Sequence, residues 1–123
     1  MGYYFMLLDV GVAQMKRFVR KPWGYYITLL ARKNFKVKLL KFKPGKSCSM
    51  QKHKDRSELW LFLKGEGEFG WDEKCFDHVF DVVKGDFVHI PELKYHQYTA
   101  KKKTLVLEIQ YGLRCDEEDI ERV

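Results

Sequence analysis

The sequence predicts a single all-β domain of the sandwich or barrel type. Its 123 residues are enough for one hydrophobic core but not for two. Short runs of β-branched and aromatic residues recur at spacings of roughly eight to twelve residues, with Gly, Pro, Asp and Asn between them. Hydrophobic residues make up 46% of the chain and aromatic residues 15%, which is ample for a globular core.

The predicted strands follow these apolar runs in chain order. Turn-forming residues separate them, as at Pro44-Gly45 and at Lys84-Gly85-Asp86. The runs cover residues 3–10, 24–31, 35–42, 47–51, 58–64, 67–70, 77–82, 86–90, 96–99 and 105–111.

Two stretches call for special local structure. In 35–43, lysines alternate with apolar residues, and a bulge at Leu39-Leu40 is expected to keep the lysines on the outer face. The acidic end from Asp116 to Arg122 has an N-cap residue followed by further acids. It therefore predicts a short C-terminal helical segment.

Residues 1–15 are assigned to an N-terminal arm or extra strand, and residues 16–123 to one domain. The arm is apolar, but it is too short to span a bilayer and lacks the basic leader of a signal peptide. Because such an arm can pair with the sheet of a neighbouring chain, a homodimer is expected.

The net charge of +6 suits an anionic small molecule. Nucleic acid is not expected as a partner, because the lysines alternate instead of clustering. A membrane is not expected either, because the apolar arm is too short to span one.

The cysteines do not form a recognisable framework. Cys48, Cys75 and Cys115 are widely separated, odd in number and without a CxxC pair. Neither disulfides nor a thiolate zinc site is indicated, and a cytoplasmic location is expected.

Potential metal ligands lie in two segments. His53 and Asp55 are two residues apart and share a face of an extended strand. Glu58 is three residues beyond Asp55 and needs an irregular residue to reach that face, and His96 comes from a later strand. Imidazole nitrogens and carboxylate oxygens inside a barrel suit a divalent metal such as Zn, Mn or Fe. The sequence therefore predicts a metal site of His53, Asp55, Glu58 and His96.

These segments resemble the motifs of the cupin superfamily. The first cupin motif has the form Gly–spacer–His-x-His–spacer–Glu-x6-Gly, and the second has Gly–spacer–Pro–spacer–His. Here Glu58 to Gly65 keeps the six-residue gap, and Gly85, Pro91 and His96 follow the second pattern. The resemblance implies a cupin-type double-stranded β-helix, the jelly-roll barrel.

The resemblance is closest to the type II mannose-6-phosphate isomerase domain of the bifunctional mannose-1-phosphate guanylyltransferase/mannose-6-phosphate isomerases. The run KPWG at 21–24 is similar to the Arg-Pro-Trp-Gly motif of that domain. The run QKHKDRSELW at 51–60 is similar to its Q-x-H-x-H-R-x-E-H-W signature, and 110–122 resembles its acidic tail. Asp55 stands where this branch has its second histidine, Leu59 where it has the histidine after the glutamate, and Gln97 where an arginine commonly follows the last histidine.

The resemblance implies a metal-dependent interconversion of mannose 6-phosphate and fructose 6-phosphate. Glu58 and Asp55 are the candidates for catalysis, with Asp55 as fourth ligand or general base. Arg56 is the candidate for the phosphate contact, although a salt bridge to Glu58 or Asp55 is the alternative. The other expected substrate-binding residues are Gln51, Lys52 and Trp60.

Two other functions stay open. The first is a non-catalytic cupin that binds a carbohydrate or sugar phosphate without a full metal site, which the aspartate at position 55 favours. The second is a different cupin activity, such as an oxygenase, which would need iron, or a sugar-nucleotide epimerase, which would use a His–Tyr pair.

Overall fold

The computed structural model describes residues 17–72, 78–115 and 120–122. Within these ranges every helix or strand assignment is a strand, as the apolar runs predict. None of the described segments forms a helix with the length and hydrophobicity of a membrane span. The strands are β1 (Arg17–Lys21), β2 (Gly24–Ala31), β3 (Phe35–Phe42), β4 (Gln51–His53), β5 (Arg56–Lys64), β6 (Glu66–Asp72), β7 (His78–Val83), β8 (Phe87–Ile90), β9 (Tyr95–Ala100), β10 (Thr104–Gly112) and β11 (Ile120–Arg122).

The strands form two antiparallel sheets. The larger sheet has six strands in the order β1-β2-β3-β10-β5-β8, and the smaller has five in the order β11-β4-β9-β6-β7. Neighbours such as β10 and β5 are far apart in sequence, so the chain crosses repeatedly between the sheets. This arrangement confirms the predicted all-β sandwich or barrel.

Aromatic side chains from both sheets form the core. Phe42 and Trp60 face inward from the larger sheet, and Phe69 and Tyr98 face them from the smaller one. The ring centroids of Trp60 and Phe69 are 5.5 Å apart, and those of Phe42 and Tyr98 are 5.0 Å apart. Both pairs meet edge to face, the arrangement that aromatic quadrupoles favour. These contacts hold the two sheets together.

Most predicted strand positions are confirmed. Strands 24–31 and 35–42 match residue for residue, and the ends of six later strands shift by one or two residues. The strand Arg17–Lys21 was not predicted, because three of its five residues are basic. The strand predicted over 47–51 is wrong for most of its length. Ser47 forms only an isolated bridge to Thr99, and the strand itself is Gln51–His53.

The bulge predicted at Leu39-Leu40 is wrong. Strand β3 pairs with β10 in an unbroken register, and Lys38, Leu40 and Phe42 all face the interior. The register shift occurs instead in β2, between Thr28 and Leu30. Lys38 can face inward because its ammonium group lies 4.2 Å from the centroid of the Tyr26 ring, and Glu108 is its cross-strand neighbour. An aromatic face and a carboxyl group thus compensate for the burial of the lysine.

The predicted C-terminal helix is wrong for its last three residues. Ile120–Arg122 forms β11, which pairs with Gln51–His53 because this edge of the smaller sheet offers backbone hydrogen-bonding groups. Residues 116–119 lie outside the described residues. So does the predicted arm at 1–15, on which the homodimer prediction depends. Cys48 and Cys115 are buried and form no disulfide in the described part of the chain, and the cytoplasmic location stays a prediction.

Candidate metal centre

Three side chains converge at one end of the core. His53 ends β4, Glu58 faces inward from β5, and His96 faces inward from β9. One ligand atom from each residue lies within 4.8 Å of those of the other two. None of the three residues is more than 3% exposed. Two imidazoles and a carboxylate form a donor set that suits a divalent first-row metal.

The strand period explains why Glu58 reaches this place. Arg56, Glu58 and Trp60 alternate with outward-facing residues along β5, so all three point into the barrel. Glu58 Oε1 accepts a hydrogen bond of 2.9 Å from the Trp60 indole N–H, and Oε2 accepts one of 3.1 Å from the Arg56 Nε–H. These bonds fix the orientation of the carboxylate.

The environment keeps Glu58 ionised. Burial alone would raise its pKa, but the contact with His53 and the nearby charges, including that of Arg56, outweigh burial. The pKa of Glu58 is therefore held well below its ordinary value. His53 Nε2 lies 3.0 Å from Glu58 Oε2.

His96 is kept neutral by burial. Loss of solvation lowers its pKa, although the charge of Glu58 acts in the opposite direction. Its Nδ1 lies 3.4 Å from the Lys94 carbonyl oxygen, so Nδ1–H donates and Nε2 carries the lone pair. Nε2 is buried without a hydrogen-bond partner and lies 3.6 Å from Glu58 Oε1. A buried nitrogen in this state is what a metal ligand requires, so the residues present fit a metal.

Arg56 belongs to the same network. Its Nη2 lies 3.0 Å from His53 Nε2 and 3.1 Å from Glu58 Oε2, and the residue is 3% exposed. The salt bridge to Glu58 considered from the sequence is thus present. Because the guanidinium contacts two of the three potential ligands, a metal at this place would have to displace its hydrogen bond to His53.

Asp55 does not join the group. Its Oδ2 accepts a hydrogen bond of 2.8 Å from Arg114 Nε, and its side chain is 25% exposed. The inward positions at the start of β5 are Arg56 and Glu58, so a residue just before Arg56 points away from the interior. Leu113 N–H also donates to the Asp55 carbonyl oxygen at 2.8 Å, which fixes the backbone there. The predicted fourth ligand therefore lies outside the cluster.

His53 and Glu58 line a cavity of about 610 Å³, whereas His96 does not line it. Of the predicted substrate-binding residues, Gln51, Arg56 and Trp60 line it. Lys52 does not, because it lies on the opposite face of β4, with its ammonium group 4.8 Å from the centroid of the Tyr95 ring. The more exposed lining residues mark the mouth of the cavity, and they include Lys21, Pro22, Ser47 and Ser49.

Lys38, Glu108 and Gln110 also line the cavity, and none of them was singled out in the sequence. Burial and the charge of Glu58 raise the pKa of Glu108 to about 8, although the charge of Lys38 acts in the opposite direction. The sequence signal that could have identified Glu108 and Gln110 is the period-2 pattern of 104–110, which places these two polar side chains on one face of the strand.

Comparison with known proteins identifies the family of this chain. The family described as "Mannose-6-phosphate isomerase C-terminal" matches residues 9–123. The chain belongs to this family. It is 36% identical over 105 residues to a mannose-1-phosphate guanylyltransferase of Sinorhizobium fredii, covering 84% of this chain and 20% of that protein. It is 34% identical over 106 residues to the alginate biosynthesis protein AlgA of Pseudomonas putida, covering 85% and 21%.

This member of the mannose-6-phosphate isomerase C-terminal family spans about a fifth of the length of these curated relatives. Solved structures share its fold. Oxalate decarboxylase of Bacillus subtilis superimposes with a TM-score of 0.76 at 17% identity, over 89% of this chain and 30% of that one. KdgF of Halomonas gives a TM-score of 0.72 at 15% identity, over 83% and 90%. The predicted cupin-type jelly roll is confirmed.

Proposed function

We propose that this chain is a metal-dependent sugar-phosphate isomerase that interconverts mannose 6-phosphate and fructose 6-phosphate. The observation that carries the proposal is the buried convergence of His53, Glu58 and His96 beside the cavity. The family to which the chain belongs and the mannose-1-phosphate guanylyltransferase among its relatives support a mannose phosphate as the substrate.

His53, Glu58 and His96 would hold the metal. A divalent Zn, Mn or Fe ion bound there would supply a Lewis acid for the sugar oxygens. The Trp60 indole N–H and the Arg56 guanidinium orient the Glu58 carboxylate, as outer partners of metal ligands commonly do. The aromatic core behind Trp60 keeps water from this end of the cavity.

A carboxyl group must also move a proton. In the isomerisation a carbon-bound proton passes from C2 to C1, and a hydroxyl proton passes from O2 to O1. Asp55, one of the two residues predicted for catalysis, is held by Arg114 outside the cavity, and Glu58 would be engaged as a ligand. Among the cavity-lining residues that the structure describes, Glu108 is the other carboxyl group. We therefore assign the transfer of the carbon-bound proton to the ionised form of Glu108 instead of Asp55.

The contacts with the rest of the sugar phosphate follow from the lining. Gln51 and Trp60 remain proposed substrate-binding residues. Arg56 is committed to His53 and Glu58 at the closed end, whereas Lys21 lies at the mouth. A phosphate keeps more of its hydration at the mouth, so Lys21 is the better-placed cation for it.

The test is a turnover assay of mannose 6-phosphate with the purified chain. We expect turnover with Mn, Zn or Fe that a chelator abolishes. The variant Glu108→Gln is expected to lower kcat by about 10²–10⁴-fold, the range typical of a lost general acid or base, while it still binds metal. Absence of turnover with each of these metals, or turnover that survives the chelator, would contradict the proposal.

A second candidate is a sugar-phosphate-binding cupin without catalysis. The observation that favours it is the position of the Arg56 guanidinium. Its buried positive charge already contacts His53 and Glu58, two of the residues that would hold a metal. A domain of this kind would be stabilised thermally by mannose 6-phosphate in the presence of a chelator and would show no turnover with any metal.

A further inference from the structure

A row of buried polar side chains crosses the larger sheet toward the metal-binding group. Lys38 of β3 is the cross-strand neighbour of Glu108 of β10, and Gln110 of β10 is the neighbour of Glu58 of β5. Cross-strand neighbours on the same face have Cβ atoms about 4.5–5.5 Å apart. Lys38 and Glu108 are each 5% exposed, and Gln110 is 1% exposed. These three residues, here called the polar wall, therefore reach Glu58 through Gln110.

The amide of Gln110 has an unmet hydrogen-bonding group. Its Nε2–H donates to Glu108 Oε1 at 2.8 Å, but its Oε1 is buried without a hydrogen-bond partner. A buried polar atom in this state costs free energy unless something supplies a partner. Because Gln110 lines the cavity, a bound molecule can supply it. The partner required is a hydrogen-bond donor, such as a hydroxyl group.

The remaining groups of the wall complement such a ligand. The Lys38 ammonium group lies 4.2 Å from the Tyr26 ring centroid, and Lys38 lines the same cavity as the Gln110 acceptor, so its donors can serve the same ligand. Alternating donors and acceptors on one rigid sheet match adjacent hydroxyl groups, each of which both donates and accepts. An apolar ligand would leave the Gln110 oxygen without a partner.

We propose that the polar wall is a polyol-binding subsite, in which Gln110 Oε1 accepts a hydrogen bond from a sugar hydroxyl and Lys38 donates to a neighbouring one. Gln110 is thereby a residue that determines specificity for a sugar over a simple anion. The choice of mannose 6-phosphate as the probe rests on the proposed function, but the subsite itself requires only a polyhydroxylated ligand.

Calorimetric titration of the full chain tests the subsite, with mannose 6-phosphate and inorganic phosphate as separate probes. Wild type is expected to bind the sugar phosphate more tightly than phosphate. Gln110→Met keeps the side-chain length and removes the acceptor, so it should weaken mannose 6-phosphate binding about tenfold and change phosphate binding less than about twofold. Lys38→Met, an independent variant, should also weaken mannose 6-phosphate binding.

The matched control is Gln97→Met. Gln97 lines the same cavity, but its Nε2–H donates to the Cys48 carbonyl oxygen at 2.8 Å, so its loss should leave both affinities unchanged within about twofold. Thermal unfolding of each variant verifies folding. The proposal is overturned if both Gln110→Met and Lys38→Met bind mannose 6-phosphate as wild type does, or if these variants lose affinity for mannose 6-phosphate and for phosphate equally. It is also overturned if wild type binds no sugar phosphate.

The same data separate the subsite from the isomerase activity. Tight sugar-phosphate binding that depends on Gln110 but is accompanied by no turnover would support the subsite and contradict the isomerase. Turnover by wild type with unchanged binding by the Gln110 and Lys38 variants would support the isomerase and contradict the subsite.

Discussion

At the scale of single residues, the alternation of side chains along β5 decides which carboxylate faces the cavity. Glu58 occupies an inward position of β5 and accepts hydrogen bonds from Trp60 and Arg56. Asp55 precedes the strand and pairs with Arg114 at the surface. The candidate metal centre therefore contains two histidines and one carboxylate, although the motif spacing also predicts Asp55.

Replacing Asp55 with asparagine tests this difference. Because the Asp55–Arg114 pair is partly solvent-exposed, Asp55→Asn should cost less than about 1 kcal/mol of unfolding free energy. It should change Mn²⁺ affinity less than about twofold, because no ligand atom is lost. Calorimetry and urea unfolding measure the two quantities. Arg114→Gln is the matched partner variant, and a tenfold loss of metal affinity in Asp55→Asn alone would identify Asp55 as a ligand.

At the scale of elements, the turn between β5 and β6 depends on Gly65. This residue has φ of +96°, and an added Cβ would lie 2.3 Å from the Lys103 carbonyl oxygen. Gly85, in the turn after β7, has a similar φ of +95° but no atom within 4 Å of its added Cβ. The two glycines have the same backbone requirement and differ in the space around them.

The two glycines therefore form a matched pair for mutation. Gly85→Ala should lose about 1 kcal/mol of unfolding free energy, from the strain of a positive φ alone. Gly65→Ala should lose about 3 kcal/mol or more, because a clash with the backbone at Lys103, just before β10, adds to that strain. Urea unfolding measures both values. Equal losses would show that the close approach to Lys103 has no energetic consequence.

Strand pattern also explains what the sequence could and could not predict. Alternation located the strands, and motif spacing located His53, Glu58 and His96. Strand β10 inverts the usual pattern, since Glu108 and Gln110 face the interior while Leu107 and Ile109 face outward. Polarity alone would assign these residues to the opposite faces, because local sequence does not show that Lys38 lies across the strand to compensate Glu108.

At the scale of the whole molecule, the barrel interior is divided into an aromatic end and a polar end. Trp60 belongs to both, because it packs on Phe69 and donates to Glu58. The polar end holds two buried cations, Lys38 and Arg56, near the carboxyl groups of Glu58 and Glu108. A divalent ion would therefore enter a network that already contains positive charge, and its binding must compete with Arg56 for Glu58 and His53.

Titration of the chelator-treated chain with Mn²⁺ tests the central claim most directly. We expect one site per chain in wild type. His53→Ala should weaken binding by more than about a hundredfold, beyond the 10–100-fold typical of a lost outer-shell partner. The matched control is His89→Ala, because His89 is exposed and its Nε2 contacts the Tyr111 hydroxyl at 2.7 Å. One site that is lost in His53→Ala and kept in His89→Ala would support the metal centre. Absence of binding by wild type, or equal affinity in His53→Ala, would contradict it.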